Sequence, residues 1–532
     1  MAPTRKLLNK SPAVLAMSGY VSHTAGMQGR SEPNRELLDA AALCRQLVPE
    51  GSVEAFLADH RRELFPDEMF ADLFPSGRGR PSVPADVIGA VIVLQSLEGL
   101  SDRDAARALR DRISWKVACG LALDDPGFHH TVFTYWRNRL RASDRPERIF
   151  DAVRGVIEAT GVLRGRTRRA LDSTLLDDAV ATQDTVTQLI SQIRRVRRQV
   201  PAAAAVELAA HDYDQGAKPL IAWDDPVAKQ QLVSALVDDA LALIESLEQA
   251  ALTSDQRDAV GLLALVAGQD VEPGEQEGSW RIARGVAHDR VISTVDPEAR
   301  HMHKSNSEYR DGYKANIAVE PETGIITAAS LTPANAPDGP TGLSLLEGEA
   351  PGLEVLADSA YGSGEVRASL AEARHRATIK PIPLRTAVAG GFSIDDFTID
   401  TTSRTVTCPQ GHTVPIARSG GAFFGPRCRG CPIRDRCTRS RRGRTIQVHP
   451  HHELLLAARR HAKTEGFQRS YRRHRPMVER SISWLVARGH RRVRYRGVAR
   501  NQLGLAHRVA ALDLRRLVNL GLDHYGGWVL TT

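Results

Sequence analysis

The stretch LEVLADSAYGSGEVRASLAEAR, residues 353–374, decides the fold class expected of this chain. Its apolar beginning, Leu353 to Ala357, predicts a buried strand, and a glycine-containing turn and an amphipathic helix follow it. Open α/β sheets place their functional residues at the carboxyl ends of strands. Asp358, the first residue after the apolar run, is therefore predicted to lie at such a site.

Neighbouring segments extend this unit into a sheet. Residues 313–335, YKANIAVEPETGIITAASLTPAN, contain two β-rich runs separated by the turn EPETG, which predicts a hairpin. Residues 377–383, ATIKPIP, predict a further strand, and Ala170 and Leu171 predict a short strand that ends at Asp172. The expected fold class is α/β with a mixed sheet.

The first 160 residues are expected to be helical. In residues 83–111, apolar residues recur at helical spacing, Gly99 predicts the end of one helix, and Ser101 with Asp104 predicts a capping box for the next. A helix, a tight turn and a second helix outline a helix-turn-helix. This pattern indicates either DNA binding or an ordinary helical bundle.

Arginines are frequent in the same region. Arg103 and Arg107 lie on the second predicted helix, and Arg137, Arg139 and Arg141 follow in a later one. Their guanidinium groups would contact DNA phosphates if the domain binds DNA.

Two segments interrupt the α/β pattern and are interpreted as insertions. Residues 183–285 are predicted to be helical, with packing, oligomerisation or DNA clamping as alternative roles. Residues 386–465 are rich in glycine, cysteine and arginine. The predicted catalytic core is then residues 161–182, 286–385 and 466–532.

Length and composition exclude several classes of protein. A chain of 532 residues is too long for one compact core, and 42% hydrophobic with 25% charged residues is typical of a folded globular protein. We find no apolar run long enough to span a membrane and no signal peptide. Six cysteines are too few for a disulfide-stapled secreted scaffold, which favours a cytoplasmic location.

The charge is distributed unevenly. The chain carries a net charge of +8, yet residues 427–500 contain 22 arginines and lysines against four acids, a local charge of +18 that leaves −10 for the rest. A polyanion such as double-stranded DNA would explain the asymmetry, because each phosphate contact releases counterions. A solvated arginine-rich surface is the alternative.

Three acids come from three predicted elements and are candidates for one metal site. Asp172 and Asp358 follow apolar strands, and Glu479 lies on a helix that Pro476 is predicted to start. Carboxylates are the ligands that Mg²⁺ prefers, and two such ions can activate a water or a 3′-hydroxyl. For the first position, Asp296, Asp311 and Asp338 are competing candidates.

Four stretches carry a resemblance to a known family. They are LDSTLLDD (171–178), STVDPEARHMHKSNSEYRDGYKANIAVEPETGIITAASLTPANAPD (293–338), LADSAYGS (356–363) and YRRHRPMVERSISWL (471–485). They resemble segments of bacterial insertion-sequence transposases with a ribonuclease H-like DDE core. The resemblance implies a ribonuclease H-like mixed sheet core with an all-α N-terminal DNA-binding domain, a helical insertion and a cysteine-rich insertion.

The resemblance also implies an activity and its residues. Asp172, Asp358 and Glu479 would be the catalytic triad that binds Mg²⁺ or Mn²⁺. Tyr471 and Arg475 would be accessory residues, with the arginine contacting phosphate. The implied reaction is cleavage at terminal inverted repeats followed by strand transfer to target DNA, carried out by a homo-oligomer.

The sequence departs from the family pattern near the glutamate. The family often has a lysine seven residues beyond it, where this chain has Val486, and Arg488 lies about half a turn away. Because Pro476 is expected to start the helix, Tyr471 is predicted to precede it.

Four cysteines in the second insertion predict a zinc site. Cys428 and Cys431 form a Cys-x-x-Cys pair, and Cys408 and Cys437, or His412, would complete a tetrahedral structural site. Reduced thiols without metal are the alternative.

Two other functions remain open at this stage. One is a catalytically inactive, transposase-derived DNA-binding protein, against which the presence of all three acids argues. The other is a hydrolytic nuclease of the same fold, which would lack specificity for terminal repeats.

Overall fold

The structure is a computed structural model that describes residues 27–31, 38–216, 218–303 and 309–531. The α-helices are α1 (Ala40–Cys44), α2 (Val53–Leu64), α3 (Ala85–Glu98), α4 (Asp102–Asp111), α5 (Ile113–Cys119), α6 (Thr131–Ala142), α7 (Arg148–Thr160), α8 (Thr185–Gln199), α9 (Pro226–Leu247), α10 (Ser254–Gln269), α11 (Asp338–Ser344), α12 (Gly364–Glu372), α13 (Arg434–Cys437), α14 (His452–Ala462), α15 (Glu465–Val486) and α16 (Val498–Asn519). The strands are β1 (Arg168–Asp177), β2 (Val271–Pro273), β3 (Trp280–Ile282), β4 (Arg300–His303), β5 (Tyr309–Val319), β6 (Ile326–Pro333), β7 (Glu354–Ala357), β8 (Arg376–Ile379), β9 (Thr398–Asp400), β10 (Thr405–Thr407), β11 (Thr413–Pro415), β12 (Gly421–Phe423), β13 (Thr445–Gln447), β14 (Leu522–His524) and β15 (Trp528–Leu530).

The central sheet is mixed, as predicted. Its strand order is β4-β5-β1-β7-β8, with β6 also paired to β5. Strand β1 is antiparallel to β5 and parallel to β7, and β7 is parallel to β8. The predicted hairpin is confirmed, because β5 and β6 pair across the EPETG turn, in which Gly324 has a φ of +75°. The fold class is therefore mixed α/β.

Strand β1 is longer than expected. The sequence predicted a short strand ending at Asp172, but β1 continues to Asp177, so Asp172 lies in its middle. The extension is stabilised by backbone pairing with β5, which continues to the pair Asp177 and Gly312. Cross-strand pairing from a distant segment thus sets the end of this strand.

The predicted helix, turn and helix near the N-terminus are confirmed. Helix α3 ends at Gly99, whose φ of +71° is the left-handed conformation favourable to glycine. The Ser101 side chain caps α4 by accepting from the Asp104 amide at 3.1 Å. In a capping box the Asp104 carboxylate would accept from the Ser101 backbone amide; here it accepts from the Ser101 hydroxyl instead, at 2.7 Å.

The N-terminal helices share one apolar core with the sheet and with α16. This cluster contains Trp115 and Trp136 from the helices, Tyr313 from β5 and Val509 from α16, all fully buried. The helical region and the sheet therefore pack directly against each other.

Arg508 of α16 joins the carboxyl ends of two helices. It is only 3% exposed, and its guanidinium donates to carbonyl oxygens of Ser96 and Leu97 in α3 and of Trp484 and Leu485 in α15. Burial, reinforced by neighbouring arginines, lowers its pKa to about 9. These bonds satisfy carbonyl groups that have no partner at a helix end.

Gly99 permits a close approach at the same junction. A Cβ at this position would lie 2.0 Å from the carbonyl oxygen of Arg488, which no side chain allows. The positive φ and the close backbone contact both require glycine here.

The helices α8, α9 and α10 form a separate apolar cluster. Its fully buried members include Leu189, Ile193, Leu236 and Leu263. Asp239 accepts hydrogen bonds there from two backbone amides and from the Tyr213 hydroxyl at 2.7 Å. This cluster lies within the segment interpreted as a helical insertion.

The prediction that Pro476 starts a helix is wrong. Helix α15 begins at Glu465, where the Thr464 side chain accepts from the Phe467 amide, and Pro476 lies inside it. Tyr471 is therefore on the helix and does not precede it. A proline inside a helix removes one hydrogen bond, but packing of the amphipathic helix against the sheet outweighs this local cost.

The described part of the chain contains no helix with the length and apolarity needed to cross a lipid bilayer.

Candidate active site

The two candidate aspartates lie side by side on adjacent parallel strands, Asp172 within β1 and Asp358 directly after β7. Ala170 of β1 pairs with Leu356 of β7, so two residues further along each strand Asp172 is level with Asp358. Neighbouring strands are about 4.8 Å apart, and equal offsets place both side chains on one face. Asp358 follows β7 directly, and its carboxylate accepts from the Ala360 amide at 2.9 Å.

Arg475 of α15 contacts one of these two acids, Asp172. It is 5% exposed, and its Nη2 lies 2.9 Å from Oδ2 of Asp172. Its Nε and Nη1 atoms are buried without a hydrogen-bond partner in the structure. Burial raises the pKa of Asp172, and the charge of Asp358 adds to this, whereas Arg475 and the Ser173 amide oppose it.

Tyr471 lies one helical turn before Arg475, on the same face of α15. Its ring stacks on Phe467 with a centroid separation of 5.7 Å. Burial raises the pKa of Tyr471 and Arg475 opposes the rise, while the charges of Asp358 and Glu479 add to it. The ring is therefore close to both acids, and the structure brings Tyr471 and Arg475 together with the aspartates.

Glu479 is placed differently from the two aspartates. It follows Arg475 by one turn on α15, but its side chain is exposed. Within the described ranges, no three His, Cys, Asp or Glu side chains form a group that could hold a metal ion. The structure thus pairs Asp172 with Asp358 and leaves Glu479 outside a three-carboxylate cluster.

The competing acids have other partners. Asp296 accepts from Tyr313 at 2.7 Å, Asp311 bonds His301 and Thr182, and Asp338 accepts from Ser173 at 2.7 Å and lies 3.2 Å from Nζ of Lys314. Of the candidates for the first position, Asp172 is the one that register places beside Asp358.

Sequence reasoning missed Lys380, which lies at the same edge of the sheet. It follows β8 directly, and the pair Ala357 and Ile379 makes it level with Asp358. The short run ATIK contained a signal, because a polar residue after a buried strand occupies the carboxyl end of that strand. Which residues lie beside Lys380, however, depends on the order of the strands in the sheet, and local sequence does not give that order.

The four cysteines line one small cavity. Cys408, Cys428, Cys431 and Cys437 surround about 20 Å³ together with His412. Burial raises the pKa of Cys437, and the other three thiols raise it further. The structure brings the four thiols near one another, but not into a group with metal-binding geometry among the residues it describes.

The arginines of the N-terminal helices divide into two groups. Arg103 and Arg107 on α4 are exposed, and Arg107 forms a surface ion pair with Asp104 at 3.4 Å. Arg137, by contrast, points inward and bonds Asp102 and Gln95, and Arg139 is buried. Arg137 and Arg139 are therefore engaged in contacts within the protein.

Part of the charge in residues 427–500 is also used inside the protein. Arg491 and Arg492 donate to carbonyls of Leu175 and Asp178, and Arg494 donates to the Gly99 carbonyl. Other arginines remain exposed on α15, namely Arg469, Arg472, Arg473 and Arg480. The basic region is thus partly a set of structural contacts and partly a charged surface.

Two family models match separate parts of the chain. Residues 407–518 match a transposase DDE domain, and residues 44–139 match a transposase domain (DUF772). No curated protein and no solved structure matches the chain. The first match contains Tyr471, Arg475 and Glu479, and the second contains α4. Together the two matches indicate a transposase and support the DDE type.

Proposed function

We propose that this protein is a DDE transposase that cuts DNA at terminal inverted repeats and joins the freed 3′ ends to target DNA. The observation that carries the proposal is the juxtaposition of Asp172 and Asp358 on adjacent parallel strands, beside a buried arginine with two free donors. Carboxylates for a metal and a guanidinium for a phosphate are the groups that phosphodiester chemistry needs.

Asp172, Asp358 and Glu479 would hold Mg²⁺ or Mn²⁺. The donor set fits a hard cation, because Asp172 and Asp358 offer carboxylate oxygens at level positions and Asp358 is partly accessible. When bound, the metal would activate a water or 3′-hydroxyl and stabilise the leaving oxygen. Glu479 is exposed on α15, so its side chain has room to change its rotamer and turn towards the aspartates.

The protein's own groups would bind and orient the DNA. The Nε and Nη1 of Arg475 are buried without a hydrogen-bond partner, and they would bind a phosphate oxygen once the side chain turned outward, since a guanidinium binds phosphate through planar donors. The exposed arginines of α15 would contact the backbone on either side. Tyr471, stacked on Phe467, fixes the surface against which the strand lies.

The proposed architecture is a ribonuclease H-like core with two insertions. An antiparallel hairpin next to three parallel strands supports this core. We propose an N-terminal DNA-binding domain at 1–160, a core at 161–182, 286–385 and 466–532, a helical insertion at 183–285 and a cysteine-rich basic insertion at 386–465.

The N-terminal domain is proposed to recognise the terminal repeats. Arg103 and Arg107 are exposed on α4, the second helix of the helix-turn-helix outline, where they can reach a phosphate backbone or a groove. Bringing two DNA ends together would require a homo-oligomer. The proposed compartment is the cytoplasm, in keeping with six free cysteines among the described residues.

A cleavage assay tests the activity. Labelled duplex carrying the inverted repeat that flanks the coding sequence is incubated with Mg²⁺ and either the native protein or Asp358→Asn. We expect nicking at the repeat boundary that falls by about a thousandfold in the variant, equivalent to about 4 kcal/mol of transition-state stabilisation. Glu372→Gln, which removes an exposed carboxylate from α12, is the matched control and keeps full activity.

The products separate the alternatives. Joined products distinguish a transposase from a nuclease of the same fold. Specific binding to the repeat without cutting in Mg²⁺ or Mn²⁺ would identify a catalytically inactive DNA-binding protein and refute the proposed activity.

We also propose that the four clustered cysteines bind one structural Zn²⁺. Their convergence on one cavity supports this, and thiolates with a nearby imidazole match zinc chemistry. Elemental analysis of the purified protein should find about one zinc per chain, and Cys431→Ser should lower that content. Cys44→Ser, remote from the cavity, should not. Native protein without zinc above background would refute the site.

A further inference from the structure

Lys380 completes a row of charged residues along the carboxyl edge of the sheet. Asp172, Asp358 and Lys380 occupy level positions after or within the parallel strands β1, β7 and β8. The Lys380 amide donates to the Ala357 carbonyl at 3.2 Å, which extends the pairing of β7 and β8 by one residue. The backbone of Lys380 is therefore fixed by the sheet next to Asp358.

The side chain of Lys380 is held against the accessory tyrosine. Its Nζ lies 4.9 Å from the centroid of the Tyr471 ring, within the range of a cation–π contact. The Tyr471 ring also stacks on the ring of Phe467, with a centroid separation of 5.7 Å. The side chain of Lys380 is thus directed towards α15.

The ammonium group of Lys380 has no carboxylate partner among the described residues. Lys380 is exposed to solvent, and among the residues that the structure describes no carboxylate lies within 4.0 Å of its Nζ. Arg475, by comparison, is already paired with Asp172 at 2.9 Å. A cation that is fixed by its backbone, oriented by a ring and not paired with an acid is suited to bind an anion from solution.

We propose that Lys380 binds a phosphate of the DNA strand that enters the active site and so positions that strand against Asp358. The inference rests on the proposed function and adds to it a substrate-binding residue from β8. Lysine acts here as a point charge, whereas Arg475 offers a planar pair of donors. The two cations would then contact the strand from β8 and from α15.

The salt dependence of DNA binding tests this contact directly. Each phosphate contact on duplex DNA contributes about 0.9 to the slope of log K against log salt concentration. Binding of the terminal-repeat duplex is measured without divalent metal for the native protein, Lys380→Gln and Lys380→Arg. We expect the slope to fall by about 0.9 in Lys380→Gln and to be retained in Lys380→Arg.

Matched variants separate this contact from general surface charge. Lys463→Gln removes an exposed lysine that lies just before α15 and should leave cleavage unchanged. In the cleavage assay, Lys380→Gln should raise KM more than it lowers kcat.

The outcomes distinguish this inference from the proposed function. If the native protein cuts the repeat, and Lys380→Gln shows the same salt slope and the same KM as the native protein, the Lys380 contact is refuted and the transposase activity stands. If Lys380→Gln loses slope while the native protein cuts nothing in Mg²⁺ or Mn²⁺, the phosphate contact stands and the proposed activity fails. An equal loss of cleavage in Lys463→Gln would also refute the specific role of Lys380.

Discussion

Glu354 and Asp358 lie four residues apart, at the two ends of β7, and have opposite surroundings. Glu354 is 5% exposed. Its Oε1 accepts from Ser470 at 2.7 Å and from Thr378 at 2.8 Å. Asp358 is partly exposed and accepts from a single backbone amide, that of Ala360.

Two arginines complete the surroundings of Glu354. Arg168 of β1 and Arg376 of β8 each lie 3.0 Å from its Oε2. Burial alone would raise the pKa of Glu354, but the two hydroxyl bonds and the arginines outweigh it and lower the pKa to about 2. This carboxylate joins three strands and α15 and has no lone pair to offer a ligand.

Strand β7 therefore serves two purposes. The saturated carboxylate at the beginning of β7 holds α15 against the sheet, and the accessible one at its end is left for ligands. Because α15 carries Tyr471, Arg475 and Glu479, the position of the candidate site depends on the Glu354 contacts.

The largest stability effect is expected from Glu354→Gln. Losing the charge leaves Arg376 without its counterion and Arg168 with Glu322 alone. The lowered pKa corresponds to about 3 kcal/mol of folding free energy at pH 7. Denaturant unfolding of the native protein and the variant measures this difference. Asp358→Asn, the control at the other end of β7, should change the free energy by less than about 1 kcal/mol. Equal effects of the two changes would contradict the comparison.

The second prediction concerns pH. The pKa of Glu354 is about 2 in the folded protein and 4.5 in its ordinary state, so its contribution is fully present above pH 4.5 and is lost as the pH falls towards 2. The difference between native protein and Glu354→Gln should shrink from about 3 kcal/mol at pH 7 to about 2 kcal/mol at pH 3.5. Unfolding curves at the two pH values check this. A difference that grows on acidification would show that Glu354 is not held as a carboxylate.

The same comparison shows how far the sequence could lead. Local patterns predicted the end of α3 at Gly99, the cap at Ser101 and the strand before Asp358, because each depends on residues close in the chain. Pro476 misled the prediction of α15, since local proline chemistry was outweighed by packing against the sheet.

The residues that contact Glu354 and Asp358 could not be predicted from local sequence patterns. Ser470 lies 116 residues from Glu354, and Lys380 meets Tyr471 only through strand order and helix placement. The apolar runs before Asp172 and Asp358 made both acids candidates, and the resemblance assigned their roles. Their spacing in the chain does not imply the register that makes Asp172 and Asp358 neighbours. Residue type alone gave no sign that Glu354 is structural.

The smallest predicted effect comes from Ser470→Ala. The Ser470 hydroxyl donates the hydrogen bond that joins α15 to Glu354. A hydrogen bond to a charged group contributes roughly 1.5–3 kcal/mol, but Thr378 and the arginines still stabilise the carboxylate when Ser470 is removed. We expect a loss of about 1 kcal/mol in unfolding free energy, together with a rise in the pKa of Glu354. Ser483→Ala, an exposed serine on the same helix, should stay within about 0.5 kcal/mol. Combining Ser470→Ala with Glu354→Gln should give less than the sum of the two single losses, because both changes break the same contact. Additive losses would mean that Ser470 stabilises α15 independently of β7, and the link between the structural carboxylate and the candidate site would then have to run through other residues.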